Sequence, residues 1–284
     1  MRRAGWLGAV AAAGALAVLL AGCAGPAADP SVFPAGPVVD YQLGGGYPPP
    51  EGVTVVARDS TDEPAEGVYS ICYVNGFQTQ PGADWPDGLV LHDASGAEVF
   101  DPGWPDERLL DLRTAENREA AADELAPVIR GCADAGFQAV EFDNLDSYTR
   151  SDGAFGLEEA VAFGSLLVEE AHAAGLAAGQ KNTPQLADRG HDEIGFDFAV
   201  AEECAYYEEC SAYTDVYGDR VIDIEYADAF EAGTESFEGG TESFEGAVTS
   251  FEQVCADPDR PFGTVLRDRD LAPAGAEGHV YARC

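Results

Sequence analysis

Basic residues are scarce in this chain: 15 lysines and arginines stand against 52 aspartates and glutamates, a formal net charge of -37. Only one of the 15 is a lysine, Lys181. So acidic a surface repels phosphates, which excludes nucleic acid as a partner. Histidine is limited to four residues and no Cys-x-x-Cys occurs, so a zinc centre has little to be built from. There is no Asp-x-Asp-x-Asp-Gly loop for calcium, and Gly44-Gly45-Gly46 lacks the lysine and helix that follow a phosphate loop. No metal and no cofactor are expected. The apolar stretch Trp6 to Leu20 is too short to span a membrane with proper flanks.

That stretch follows the basic start Met1-Arg2-Arg3 and ends in Leu20-Ala21-Gly22-Cys23. Residues 1–22 therefore read as a secretory signal closed by a bacterial lipobox, with cleavage before Cys23 and lipid on its sulfur. An ordinary signal cut nearby is the alternative. The expected location is the outer face of the bacterial cell membrane. Residues 23–37, rich in Ala, Pro and Gly, read as a flexible tether. Six cysteines follow Cys23: Cys72, Cys132, Cys204, Cys210, Cys255 and Cys284. In an exported chain an even count implies disulfides, although six cysteines allow 15 pairings. Only five residues lie between Cys204 and Cys210, so these two are expected to pair. Cys72–Cys132 and Cys255–Cys284 would complete the set.

Residues 38–284 form one expected domain, a monomer, near the usual size of a (β/α)8 barrel. Strands are expected at 38–43, 53–59, 68–74, 139–143, 176–182, 196–203, 221–226 and 264–268. Leu157 to Ala174 has apolar residues spaced for one buried helical face, and Gly175 ends it. A second helix from Thr114 to Ala135 should be kinked or broken at Pro127. Glycines 136, 175, 195 and 218 recur where helix gives way to strand, as alternating β/α units require. Eight such units give an α/β fold of the TIM-barrel kind. Residues 233–246 hold a duplicated seven-residue unit, Gly-Thr-Glu-Ser-Phe-Glu-Gly, which reads as an exposed insert or, alternatively, a lid.

In a barrel the reactive groups lie at the C-terminal strand ends. The most informative end is Glu141-Phe142-Asp143-Asn144-Leu145-Asp146, where alternation puts Glu141 and Asp143 on one face. Crowded carboxylates cost stability, which is tolerated where chemistry needs them. A solvated acidic loop is the bland alternative. The other ends offer Asp40, Tyr41, Gln42, Asn75, Gln78, Lys181, Asn182, Glu202, Glu203, Glu225 and Asp268. Such a bowl of carboxylates and amides suits hydroxylated rings, and glycoside hydrolysis needs two carboxyl groups flanking one bond. Lys181 invites a rival reading, a Schiff-base lyase. A non-catalytic polysaccharide-binding lipoprotein is a third.

Asp40-Tyr41-Gln42-Leu43-Gly44, Tyr73-Val74-Asn75-Gly76-Phe77-Gln78-Thr79-Gln80 and Asp143-Asn144-Leu145-Asp146-Ser147-Tyr148 resemble the endo-α-1,4-polygalactosaminidase family of glycoside hydrolases. So do Gly179-Gln180-Lys181-Asn182, Glu202-Glu203-Cys204 with Cys210, and Val265-Leu266-Arg267-Asp268. The resemblance implies a (β/α)8 barrel acting on an α-1,4-linked galactosamine polymer, a cationic partner suited to an acidic protein. It implies Asp143 as nucleophile and Glu202 or Glu203 as acid/base. Alternation favours Glu203, on the premise that Ala199 and Ala201 face the crowded interior while Phe198 and Val200 face the helices. Asn144 and Asp146 are expected to contact sugar or to orient Asp143.

Overall fold

The computed structural model describes, apart from Met1, residues 32–232 and 248–284. The signal segment 1–22, Cys23 and the repeat at 233–246 lie outside them. Eight strands run parallel and pair in chain order: β1 Val39–Tyr41, β2 Val55–Asp59, β3 Tyr69–Asn75 and β4 Ala139–Asp143. They continue with β5 Ala177–Lys181, β6 Phe198–Glu202, β7 Val221–Tyr226 and β8 Gly263–Arg267. A short ninth strand, β9 Tyr281–Arg283, runs antiparallel to β8, and Tyr281 reaches the Val39 carbonyl of β1. It thus covers the seam where the barrel meets itself, which removes an exposed strand edge.

Alternation sorts the side chains into two layers. Val39, Tyr41, Val55, Ala57, Ile71, Ala139, Ala177, Phe198, Val200, Ile222, Ile224 and Val265 pack together inside the barrel. The intervening residues, such as Val74, Val140, Phe142, Ala178, Ala199 and Ala201, join the layer under helices α1 Ala115–Ala135 and α2 Leu157–Ala173. Both helices hand over to strands through positive-φ glycines, Gly136 at 101° and Gly175 at 80°. Thr114 caps α1 by accepting the Asn117 N–H.

Three expectations are corrected. The helix over 115–135 is continuous through Pro127, because Pro127 and Asp123, whose carbonyl loses its partner, both face solvent. The tether does not extend to residue 37. Phe33 is only 2% exposed, stacked face to face on Phe198 with ring centroids 4.1 Å apart and edge-on to Tyr69. It stoppers the barrel at the end opposite the strands' C-termini. The premise about β6 is reversed: Phe198 and Val200 face the interior, and Ala199 and Ala201 face the helices. The large Phe198 ring fits inside because its β5 neighbour is Gly179, where a Cβ would stand 2.5 Å from that ring. The chain between β3 and α1 also folds on itself. Bridges Gln78–Leu109, Val90–Leu110, His92–Glu98 and Phe100–Arg108 fold it into a compact excursion.

All three disulfides join cysteines at bonding distance. Cys72 on β3 is bound to Cys132 on α1, Cys204 to Cys210 across the loop after β6, and Cys255 to Cys284. Their Cα separations of 6.0, 4.8 and 5.1 Å all fall in the range a relaxed bridge accepts. The last one staples the end of β9. No helix among the described residues is long and apolar enough to cross a membrane.

Removing the stopper tests this packing. Phe33→Ala should cost about 3 kcal/mol, as truncation of a buried aromatic does. A lowered denaturant midpoint with unchanged slope would show it. An unchanged midpoint would mean that residues 32–37 are indeed a tether.

Candidate active site

Inside the barrel mouth stands a single ammonium. Lys181, at the end of β5, is 2% exposed, and its Nζ lies 3.5 Å from Asp143 Oδ2, 3.6 Å from Glu202 Oε2 and 4.0 Å from Glu141 Oε1. It also donates to the Tyr41 hydroxyl at 3.1 Å, and Tyr41 in turn donates to Glu141. β4, β5, β6 and β1 therefore converge on one cation. Burial disfavours a charged lysine, but Asp143, Glu202 and Glu141 outweigh it and hold the ammonium well above its ordinary pKa. A lysine so firmly protonated is a poor amine nucleophile, which weighs against the Schiff-base reading.

The three carboxyl groups are not equivalent. Asp143 accepts the Tyr73 hydroxyl at 2.9 Å through Oδ2 and its neighbour's N–H, Asn144, at 2.8 Å through Oδ1. Glu202 accepts Asn182 Nδ2 at 2.9 Å and the Tyr226 hydroxyl, while its own N–H donates to Asn182 Oδ1 at 2.8 Å. Burial pushes the Glu202 carboxyl up, but Lys181, Tyr226 and Asn182 prevail and hold it below the usual carboxylate range. Glu141 is fully buried, and its Oε2 has no partner among the described residues. Burial raises it to about 7 despite Lys181 and Tyr41.

Each strand that carries one of these groups ends in a left-handed residue: Asn144 at φ 65°, Asn182 at 52° and Glu203 at 60°. Non-glycine residues seldom adopt this conformation, and clusters of it mark sites where geometry is held under strain. At Glu203 it redirects the side chain. The turn takes Glu203 away from Lys181 and into a forked ion pair with Arg269, at 2.9 and 3.3 Å, which also holds Asp228. The alternation argument for Glu203 therefore fails, and Glu202 is the carboxylate brought opposite Asp143.

Several other predicted contacts are committed elsewhere. Asp40 and Gln42 are fully buried on the outer side of β1, where Asp40 is held by Arg267, Tyr47 and Gln42. Gln42 completes that network through Arg58. Asp268 latches the Ala272 and Val280 N–H groups. Glu225 faces away from the interior beside Asp223, and accepts the Ala205 and Tyr206 N–H groups of the loop after β6. These four are structural. Tyr41, Asn75, Asn144, Lys181 and Asn182 remain at the mouth. Asp146 stands beside it, ion-paired with Arg150 at 2.8 Å, and Gln78 lies beneath, donating to Asp101 at 2.6 Å.

The sequence places Glu141 on the face of Asp143 without giving it a role, and its assigned site residues omit Tyr73, Tyr226, Asp101, Glu107 and Arg150. Tyr73 and Tyr226 carried a signal, since each shares an interior face with its strand neighbours Ile71 and Ile224. Asp101 and Glu107 come from the β3–α1 excursion, which no periodicity marked. Among the described residues, two groups have ligand atoms close enough for a metal. Asp87, His92 and Glu98 lie on the excursion's surface, and Cys204, Cys210 and Asp223 include two sulfurs already bonded to each other. In the bowl itself Lys181 supplies the positive charge.

Deleting that charge tests the arrangement. Lys181→Met should cost about 3 kcal/mol at pH 7, because buried carboxylates lose their cation. Without it Glu202 and Glu141 bind protons more readily in the folded state, so stability rises as pH falls and the deficit narrows by pH 5. Melting temperatures at the two pH values check this; an equal deficit at both would refute it.

The chain matches glycoside-hydrolase family GH114 over residues 23–284. Its fold is similar to that of Ega3 from Aspergillus fumigatus, solved in complex with galactosamine: TM-score 0.66, 20% identity, with 89% of this chain and 97% of that chain covered. It is also similar to the glycoside hydrolase domain of PelA from Pseudomonas aeruginosa, with TM-score 0.52, 12% identity and coverage of 84% and 97%. No curated protein sequence matches it. With the family matched across the whole barrel, this chain belongs to glycoside-hydrolase family GH114.

Proposed function

We propose that this glycosidase cleaves an α-1,4-linked galactosamine polymer with retention of configuration, Asp143 acting as nucleophile and Glu202 as acid/base. The observation that carries this is the single ammonium shared by two carboxylates. The Asp143 and Glu202 oxygens that face Lys181 can be no farther apart than its two contacts, 3.5 and 3.6 Å, laid end to end. That limit accommodates the roughly 5–5.5 Å of a retaining pair. Ega3, which shares the fold, is described with galactosamine bound, and a chain of net charge -37 attracts a polymer of ammonium groups.

In this scheme Lys181 and the Tyr73 hydroxyl hold one oxygen of Asp143 so that the other meets the anomeric carbon. Glu202 gives its proton to the departing glycosidic oxygen. It later takes one from the water that releases the sugar from Asp143. Because Glu202 titrates below the usual range, its donor form is lost as pH rises through that value, so kcat at saturating substrate should rise toward acidic conditions. A non-catalytic polysaccharide-binding protein would have no use for a carboxylate pair aligned on one ammonium.

Asp143→Asn and Glu202→Gln should each reduce turnover of de-N-acetylated galactosamine oligomers by about 100- to 10,000-fold while leaving the melting transition cooperative. Glu203→Gln should retain most activity, since Glu203 is spent on Arg269. Activity that survives in Glu202→Gln but vanishes in Glu203→Gln would reverse the assignment. Product anomer analysis by NMR decides retention.

We also infer that the mature chain begins at Cys23 and is held by lipid at the outer face of the cell membrane, on the strength of Leu20-Ala21-Gly22-Cys23. Cys23→Ser should release the protein from membranes; continued membrane retention would refute the anchor.

A further inference from the structure

We propose that Glu107 is a specificity-determining residue of this site, accepting the ammonium of the sugar seated against Asp143 and so selecting a free amine over a hydroxyl or an acetamide. The proposal rests on the glycosidase reading and adds to it the group that would read the substrate's nitrogen.

Position comes first. Asn75 ends β3 directly beside Asp143 in the register of the sheet. Its side chain continues the interior face of Ile71 and Tyr73, so it lies in the barrel mouth. Asn75 Nδ2 donates to Glu107 Oε2 at 2.7 Å, and Asn75 Oδ1 accepts Asn144 Nδ2 at 2.9 Å. One amide therefore links Glu107 to the residue next to the nucleophile.

Pairing comes second. The mouth's other carboxylates each have a cation: Asp143, Glu202 and Glu141 share Lys181, Asp101 and Asp146 share Arg150, and Glu203 has Arg269. Glu107 is 8% exposed and has none among the described residues. A carboxyl group buried without a cation is costly to ionise. Burial, opposed by the Asn75 hydrogen bond and reinforced by Asp143, Asp101 and Asp106, raises it to about 7. Arg150, the cation on that side, is already ion-paired with Asp101 at 2.6 Å and with Asp146 at 2.8 Å. A ligand ammonium would supply the missing charge. A hydroxyl would bring only a neutral hydrogen bond, and an acetamide would bring bulk without charge.

The proton balance is explicit. Near or below pH 7 Glu107 in the free protein is partly protonated; accepting an ammonium requires the carboxylate, so binding releases a proton to solvent. Affinity for the amino sugar should then fall as pH drops below about 7.

Binding of galactosamine, galactose and N-acetylgalactosamine to the intact protein, followed by NMR titration and by calorimetry in two buffers of different ionisation enthalpy, tests this without any turnover. Wild type should prefer galactosamine about tenfold or more, the worth of a charge-assisted hydrogen bond, with proton release near pH 6. Glu107→Gln should abolish both the preference and the proton release while still binding galactose, and Glu107→Asp should keep part of the preference. A preference that survives in Glu107→Gln overturns the proposal. So does equal weakening of all three sugars in both variants, which would mark a structural role. A wild type that shows no preference overturns it as well. Cleavage of the polymer by that same wild type decides separately whether the glycosidase reading stands.

Discussion

One buried ammonium organises the reactive end of this barrel. Three carboxyl groups stand within 4.0 Å of Lys181 Nζ, in an interior where an unpaired charge is expensive. No other lysine exists in the chain, so the arrangement cannot be exchanged for a neighbouring cation of the same shape. The consequence is a division of protonation states. Glu202, with two further donors, is held down; Glu141, with an orphan oxygen beneath the cation, is pushed up. Unequal environments for neighbouring carboxyls are how one site supplies different chemical roles near a single pH.

The barrel supports that cation by crowding. Below the site, Phe198 fills the space that Gly179 leaves empty, and Phe33 stacks under it. Above it, backbone turns of positive φ at Asn144, Asn182 and Glu203 re-aim the chain as it leaves β4, β5 and β6. Asn144 and Asn182 are paid for locally, because their side chains bond Asn75 and Glu202. The Cys204–Cys210 bridge and the buried Asp223 and Glu225 carboxyls then fix the loop that follows Glu203 by bonding its N–H groups. Arg269 holds Glu203 from the outside and lies 4.2 Å over the Tyr226 ring, whose hydroxyl donates to Glu202.

Much of this was legible in the chain. Eight strand ends could be located because apolar alternation and glycine punctuation are local features, and the strands found differ from those expected by a residue or two at their ends. Glu141 and Asp143 on one face, Lys181 at a strand terminus and the close Cys204–Cys210 pair were all visible, whereas the other two disulfides needed the fold to choose among the possible pairings. The failures have a common cause. Asp40, Gln42, Glu225 and Asp268 are polar residues at strand ends, so pattern alone placed them in the bowl. Whether a polar side chain faces solvent-filled space or a buried arginine depends on neighbours distant in sequence, such as Arg267 for Asp40.

The sequence by itself determined the barrel, its strand order and the acidic strand carrying Asp143, because hydrophobic period and turn residues act over a few positions. It also determined that any ammonium in the bowl must be Lys181. Only tertiary structure decided which of Glu202 and Glu203 faces Lys181. That choice turns on Gly179 vacating space for Phe198 from the next strand, and on Arg269 capturing Glu203 from a loop 66 residues away. Glu107 likewise reached the mouth only because the excursion after β3 folds back onto Asn75, a contact between residues 32 apart that no periodicity records.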